Sequence, residues 1–292
     1  MKKRVMMMAA VMAMAGVMSG CSGSKPAETT AAPTAAAETT AAETTAAPET
    51  TAAETEAPAA EEEILVAAAA SLKNAYEEKL IPMFQEANPG ITVKGTYDSS
   101  GKLQTQIEEG LEADVFMSAA TKQMTALDEG GYIVSETIVN LLENKIVLIV
   151  PAGSESGLAK FEDIANAESI ALGDPASVPA GQYAEEALTN LGIWDSIQEK
   201  VSLGTNVTEV LNQVAAASAD AGIVYATDAA SMADQVTVIA EAPEGSLAKR
   251  VIYPVAVIKN TAHADAANAF VEFLQSDDAM AVFESYGFAK GN

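Results

Sequence analysis

The chain has 292 residues, of which 49% are hydrophobic and only 5% aromatic, with one cysteine, one histidine and a formal net charge of −25. One cysteine excludes disulfides within a monomer and any cysteine-based metal site, and one histidine excludes a histidine cluster. So acidic a balance also argues against nucleic acid and anionic lipid surfaces as partners.

At the N-terminus, Lys2, Lys3 and Arg4 form a basic start, followed by a Met/Ala/Val-rich apolar run over 5–17 and then Met18-Ser19-Gly20-Cys21. The run is shorter than the roughly 20 apolar residues of a membrane span, so 1–20 reads as an export signal. The small-small-Cys ending resembles a bacterial lipobox, which implies that Cys21 becomes a lipidated first residue. Residues 21–62 are almost entirely Ala, Thr, Glu and Pro, with no large apolar side chain. Such a segment buries too little surface to offset its ordering entropy, and it is predicted to be a disordered tether with a reach on the order of 35 Å.

From residue 64 onward the chain carries 12 Lys+Arg against 32 Asp+Glu. Strand-like and helix-like segments alternate throughout this part. A small-residue strand over 64–70 leads into a helix over 72–85, broken by Ala87-Asn88-Pro89-Gly90. A strand over 91–97 precedes a short helix over 102–109, and a strand over 113–119 precedes a helix over 121–128 that ends at Gly130-Gly131. An apolar strand follows over 145–151, then a strand over 168–175 and a helix over 181–191. Strands over 221–229, 236–242 and 250–258 come next, and helices over 264–275 and 278–286 close the chain. This alternation predicts an α/β fold with mainly parallel sheets flanked by helices, in which ligands bind beyond the carboxyl ends of the strands.

Four stretches share one design, in which small, neutral, hydrogen-bonding residues end a strand or loop and open a helix. They are AAAASLKNA with Ser71, DSSGKLQTQIEEG with Ser100, GDPASVPAGQYAEEAL with Ala180 and TNVTEVLNQV with Val207. A helix start offers unpaired N–H donors and the positive end of the helix dipole. Several starts converging on one cleft could hold a tetrahedral oxyanion without a basic residue, against the repulsion of the acidic chain. Taken singly, each has an ordinary reading. Ser71 and Ser100 could be plain caps, and Pro179 could simply shape a first helical turn. Tyr225 in GIVYATDA could be a core tyrosine. His263, Trp194, Met117 and Met124 read as structural. Ser99-Ser100-Gly101-Lys102 is not part of a phosphate-binding GxxxxGK[ST] loop, and no G-x-S-x-G elbow is present.

Together with ADVFMSA, GIVYATDA and YPVAVI, in this order over about 64–288, the four stretches resemble the periplasmic molybdate-binding proteins that serve ABC importers. The resemblance implies a type II binding-protein fold, two α/β lobes joined by crossovers near Asn144–Ile146 and Tyr253–Val255. Lobe 1 would comprise 63–144 and 254–292, and lobe 2 would comprise 145–253. It further implies that neutral donors hold the oxyanion: Ser71 and Ser100 by hydroxyl and N–H, Ala180 and Val207 by N–H, and Tyr225 by its phenol. The implied protein is a monomer without cofactor or catalysis, lipid-anchored through Cys21 at the outer face of the cytoplasmic membrane. It would capture molybdate, and tungstate with it, and pass them to a permease with its ATPase. Many relatives carry a third hydroxyl residue after the serine pair. Here Gly101 would offer an open N–H instead, and Lys102 a charge at the rim. Other readings are a binding protein for another oxyanion or a small organic acid, a surface ester hydrolase using Ser71 or Ser100, and a purely structural lipoprotein.

Overall fold

The computed structural model describes residues 62–291. The predicted export signal, the lipidated Cys21 and the tether up to residue 61 lie outside the described residues; residue 62, expected to end the tether, opens the first strand. The first described element is β1 (Glu62–Ala69), whose last four residues are all buried. Val66 and Ala68 face one apolar cluster and Ala67 the other, the period of two that a strand covered on both faces requires.

A continuous helical segment follows over 70–87. It opens with a 3-10 turn, Ala70–Leu72, and passes through α1 (Lys73–Ala75) and a π-helical turn, Tyr76–Leu80, to α2 (Ile81–Ala87). Pro82 sits in the first turn of α2, where its missing N–H is tolerated because the helix has just widened ahead of it. Then come β2 (Ile91–Asp98), α3 (Ser100–Glu108), β3 (Val115–Met117), α4 (Thr121–Glu129) and β4 (Val139–Asn144).

Lys145 alone separates β4 from β5 (Ile146–Pro151), the first strand of a second sheet. The second lobe continues through β6 (Ile170–Gly173), α5 (Pro179–Asn190), α6 (Trp194–Ile197), β7 (Val201–Gly204), α7 (Val207–Ala215), β8 (Ala221–Tyr225), α8 (Ala226–Ser231) and β9 (Val236–Glu241). The chain then returns to the first sheet through β10 (Val251–Val257), and α9 (Ala264–Leu274), α10 (Asp277–Ser285) and the short β11 (Ala289–Lys290) complete it.

The two sheets have the orders β11-β4-β10-β3-β1-β2 and β7-β6-β8-β5-β9. Both are mixed rather than mainly parallel. β1 pairs parallel with β2 and β3, and β6 with β7 and β8. The strands that enter from the other lobe run against these: β10 is antiparallel to β3 and β4, and β5 to β8 and β9. A strand that arrives across a crossover, with no helix to reverse it, has to come in from the opposite end. The return to lobe 1 lies upstream of the Tyr253–Val255 stretch expected from the sequence, because Val251 and Ile252 already pair with Asn144 and Glu143.

Edge-on aromatic contacts fix lobe 1 from below. Phe84 meets Phe270 at 5.0 Å between centroids, and Tyr76 meets Phe270 at 6.0 Å. The Tyr76 hydroxyl donates to Met117 Sδ at 2.9 Å, so Met117 is a buried structural acceptor. Among the described residues no helix is long and apolar enough to cross a membrane.

Candidate functional site

β1 ends in three consecutive buried alanines, and the 3-10 turn that carries Ser71 follows directly at the carboxyl end of this interior strand. Ser71 Oγ lies 3.0 Å from Tyr253 Oη on β10. Asn144, the last residue of β4, donates from Nδ2 to Tyr253 Oη at 3.2 Å and to Thr227 Oγ1 of lobe 2 at 2.9 Å. Ser100 opens α3 behind Ser99 as N-cap, and both are buried. Ser100 Oγ accepts the Ala119 N–H at 3.0 Å, while the buried Ser99 hydroxyl has no protein partner. The Ala119 carbonyl accepts the Tyr225 O–H from lobe 2 at 3.3 Å, and the Tyr225 ring stands edge-on to Tyr253 at 5.4 Å. Ser71, Ser100 and Tyr225 are therefore joined through Tyr253 and Ala119.

The other two sequence-predicted residues open helices of lobe 2. Pro179 occupies the first turn of α5, with the fully buried Ala180 after it. Gly181 allows this start to reach the end of β6, since a Cβ there would lie 2.0 Å from the Gly173 carbonyl oxygen. Val207 is the first residue of α7, behind Asn206, whose side chain accepts the Glu209 N–H at 3.0 Å. Glu209 reaches back past the N-cap to accept the Thr205 N–H at 2.7 Å, a second bond across the helix start. That hydrogen bond holds the Glu209 carboxyl below the ordinary carboxylate range.

The lobes touch where these helices begin. The Gly101 N–H donates to the Ser177 carbonyl at 2.9 Å, which sets the start of α3 against the start of α5. Gln123 Nε2 donates to Gln182 Oε1 at 3.1 Å, and Asn206 Nδ2 donates to Asp98 Oδ1 at 3.4 Å. α7 also packs on the 3-10 turn of Ser71. All five predicted residues thus lie around one junction between the lobes, at the carboxyl ends of their strands.

One sequence expectation, at Gly101, needs correction. The Gly101 N–H is not open, because Ser177 takes it. The glycine instead permits the approach itself, since a Cβ would stand 2.4 Å from the Ser177 carbonyl oxygen. Lys102 pairs with Asp98, the last residue of β2, at 3.3 Å.

Burial shapes the electrostatics. Tyr225 and Tyr253 are fully buried, and the loss of hydration pushes both phenols well above their ordinary range, so both keep their protons. Asp228 on α8 is 6% exposed with Oδ2 unpartnered, and burial pushes its carboxyl up to about 7. It lines a cavity of about 190 Å³ with Ser71, Thr208, Thr227, Tyr286 and Phe288. Asn144, Thr227, Asp228 and Tyr253 were not singled out from the sequence as site residues. YPVAVI and GIVYATDA contained three of them, but neither motif said which side chains turn toward the serines. Among the described residues, no group of three His, Cys, Asp or Glu could hold a metal ion.

The sequence profile of a family described as bacterial extracellular solute-binding protein matches residues 64–289. YvgL of Bacillus subtilis (strain 168), named as a candidate ABC transporter substrate-binding lipoprotein, is 41% identical over 225 residues, covering 77% of this chain and 85% of that protein. The molybdate-binding protein ModA of Haemophilus influenzae is 41% identical over 239 residues, covering 79% and 91%. Among solved structures, the substrate binding domain of a candidate molybdenum ABC transporter from Clostridium difficile superposes with a TM-score of 0.62 at 38% identity. That match covers 79% of this chain and all of the other.

Proposed function

The chain belongs to the bacterial extracellular solute-binding proteins, and from that premise we propose that it captures molybdate outside the cytoplasmic membrane for an ABC importer. The observation that carries this reading is the junction itself. The starts of α3, α5 and α7 meet there with the Ser71 and Tyr225 hydroxyls, and none of the five residues is basic. A dianion that leaves water loses a large hydration energy. Several neutral donors, with helix dipoles worth roughly 0.3–2 kcal/mol each, replace that shell without a counter-charge.

Donors come from both lobes, so the closed form binds better than the open form, and ligand and closure are coupled. The hydrogen bonds that these five residues offer are all donated, which leaves the proton of hydrogen phosphate without an acceptor among them. Sulfate, being smaller, leaves the donors stretched. Tungstate is nearly the size of molybdate and is bound with little discrimination. The protein acts as a monomeric carrier that needs no cofactor and catalyses nothing. Cys21, in its lipobox-like setting, anchors it, and a permease with its ATPase takes the cargo.

Thermal unfolding with molybdate, tungstate, sulfate and phosphate each in excess tests the reading, because a ligand that binds only the native state raises the midpoint. A rise with molybdate and tungstate but not with sulfate or phosphate is expected. A flat response to all four would discard it.

A further inference from the structure

We propose that Tyr253 is a positioning residue that fixes the direction of the Ser71 proton and thereby sets discrimination against protonated oxyanions. The proposal rests on the oxyanion-binding reading above and deepens it.

The argument is a proton count. The Lys145 N–H donates to Asn144 Oδ1 at 2.8 Å, which settles the orientation of the amide. Its NH₂ group therefore faces Thr227 Oγ1 at 2.9 Å and Tyr253 Oη at 3.2 Å, and both of its protons are committed. Tyr253 Oη is then an acceptor from Asn144, and the phenolic proton goes to the other partner in reach, Ser71 Oγ at 3.0 Å. Ser71 accepts, so its own proton is turned outward. Ser100 is arranged in the same way by different means, since its Oγ accepts the Ala119 N–H at 3.0 Å. Both serines thus have their protons left for a ligand.

Tyr253 is held for this task. It is fully buried, with its ring edge-on between Tyr225 and Phe288, each 5.4 Å away. Its hydroxyl stays protonated because burial disfavours the phenolate. With the Tyr253 proton on one of its two lone pairs, Ser71 Oγ keeps a single lone pair for a second donor and presents its own proton to the ligand. Turning the Ser71 proton toward Tyr253 instead would make Tyr253 accept twice and leave its O–H unpaired in a buried site, which is costly. An anion without protons uses only the Ser71 donor, whereas hydrogen phosphate has to fit its proton to the one lone pair that remains.

The test compares wild type with Tyr253→Phe in titrations with molybdate and with inorganic phosphate, at a pH below and a pH above the second ionisation of phosphate. Losing the donor that orients Ser71 should weaken molybdate about 10- to 100-fold, the effect of one charge-assisted hydrogen bond. The ratio of phosphate to molybdate affinity should rise in the variant, and more so at the lower pH. Asp228, which lines the same cavity as Ser71 and is pushed up to about 7, changes protonation over this range in both proteins, so the variant is read against wild type at each pH. Asn144→Leu, which frees Tyr253 to accept from Ser71, should move the ratio the same way. A weaker molybdate affinity with an unchanged ratio at both pH values would make Tyr253 merely structural and overturn the proposal. So would an unchanged molybdate affinity in Tyr253→Phe. Wild type that binds no oxyanion would instead overturn the underlying binding reading, and this proposal with it.

Discussion

Ser100 and Asp228 show how much one side chain can carry. Ser100 Oγ is occupied by the Ala119 N–H, and its proton is free for a ligand. Ser100→Ala should therefore weaken molybdate about 10- to 100-fold while costing the fold only about 1–3 kcal/mol for the orphaned N–H. Calorimetric titration checks it, and an unchanged affinity would remove Ser100 from the site. Asp228 makes stability depend on pH. Its carboxyl sits at about 7 in the fold against the ordinary 3.8, because burial disfavours the charge. The folded state thus binds the proton more tightly than the unfolded state. The resulting stability is full below the unfolded value and is lost as pH rises from there through about 7, at roughly 1.4 kcal/mol per pH unit. Asp228→Asn, which keeps the shape without the charge, should raise the unfolding midpoint more at pH about 8 than at pH about 5. An equal gain at both would show that the carboxyl does not titrate in this range.

At the scale of elements, the start of α5 is seated by the contact of Gly181 with the Gly173 backbone. Gly181→Ala should cost about 1–3 kcal/mol of stability, read from urea unfolding, because backbone on both sides leaves the methyl no room. These starts were legible in the sequence. Asn206 ahead of Val207, Pro179 ahead of Ala180 and Ser99 ahead of Ser100 are local signals, and local signals decide where a helix begins. Pairing direction was less legible. β4, β7 and β11 were not recognised at all; Ala289–Lys290, for one, is a strand only because Glu143 and Leu142 lie beside it. The π-helical turn before Pro82 was hidden inside an ordinary helical pattern. The Asn144–Tyr253–Ser71 relay joins positions 182 residues apart, and no spacing rule brings them together. Gly101 was noticed for the right reason, its bare backbone, but its partner was visible only once the lobes were in place.

At the scale of the whole molecule, a net charge of −25 repels the anion that the junction is proposed to hold. Long-range repulsion is screened over a Debye length of about 8–10 Å near physiological salt, whereas short hydrogen bonds in a buried site are screened little. The association rate for molybdate should therefore rise with added sodium chloride, by stopped-flow measurement, while dissociation changes little. A falling rate would mean that a local positive field outweighs the global one. Closure has its own device in the Gly101–Ser177 bond, and Gly101→Ala should weaken molybdate while leaving ligand-free unfolding nearly unchanged, since the lobes can stay apart. Equal affinity in that variant would show that the lobes close without this approach. The same bond is made between two backbones and is blind to cargo. It adds the same increment to a loaded and an empty closed molecule, and about 1 kcal/mol corresponds to about a fivefold larger closed-to-open ratio in either case. An importer that recognises the closed outline would then dock with empty carriers, and the strength of this one contact would set how often it turns over without cargo.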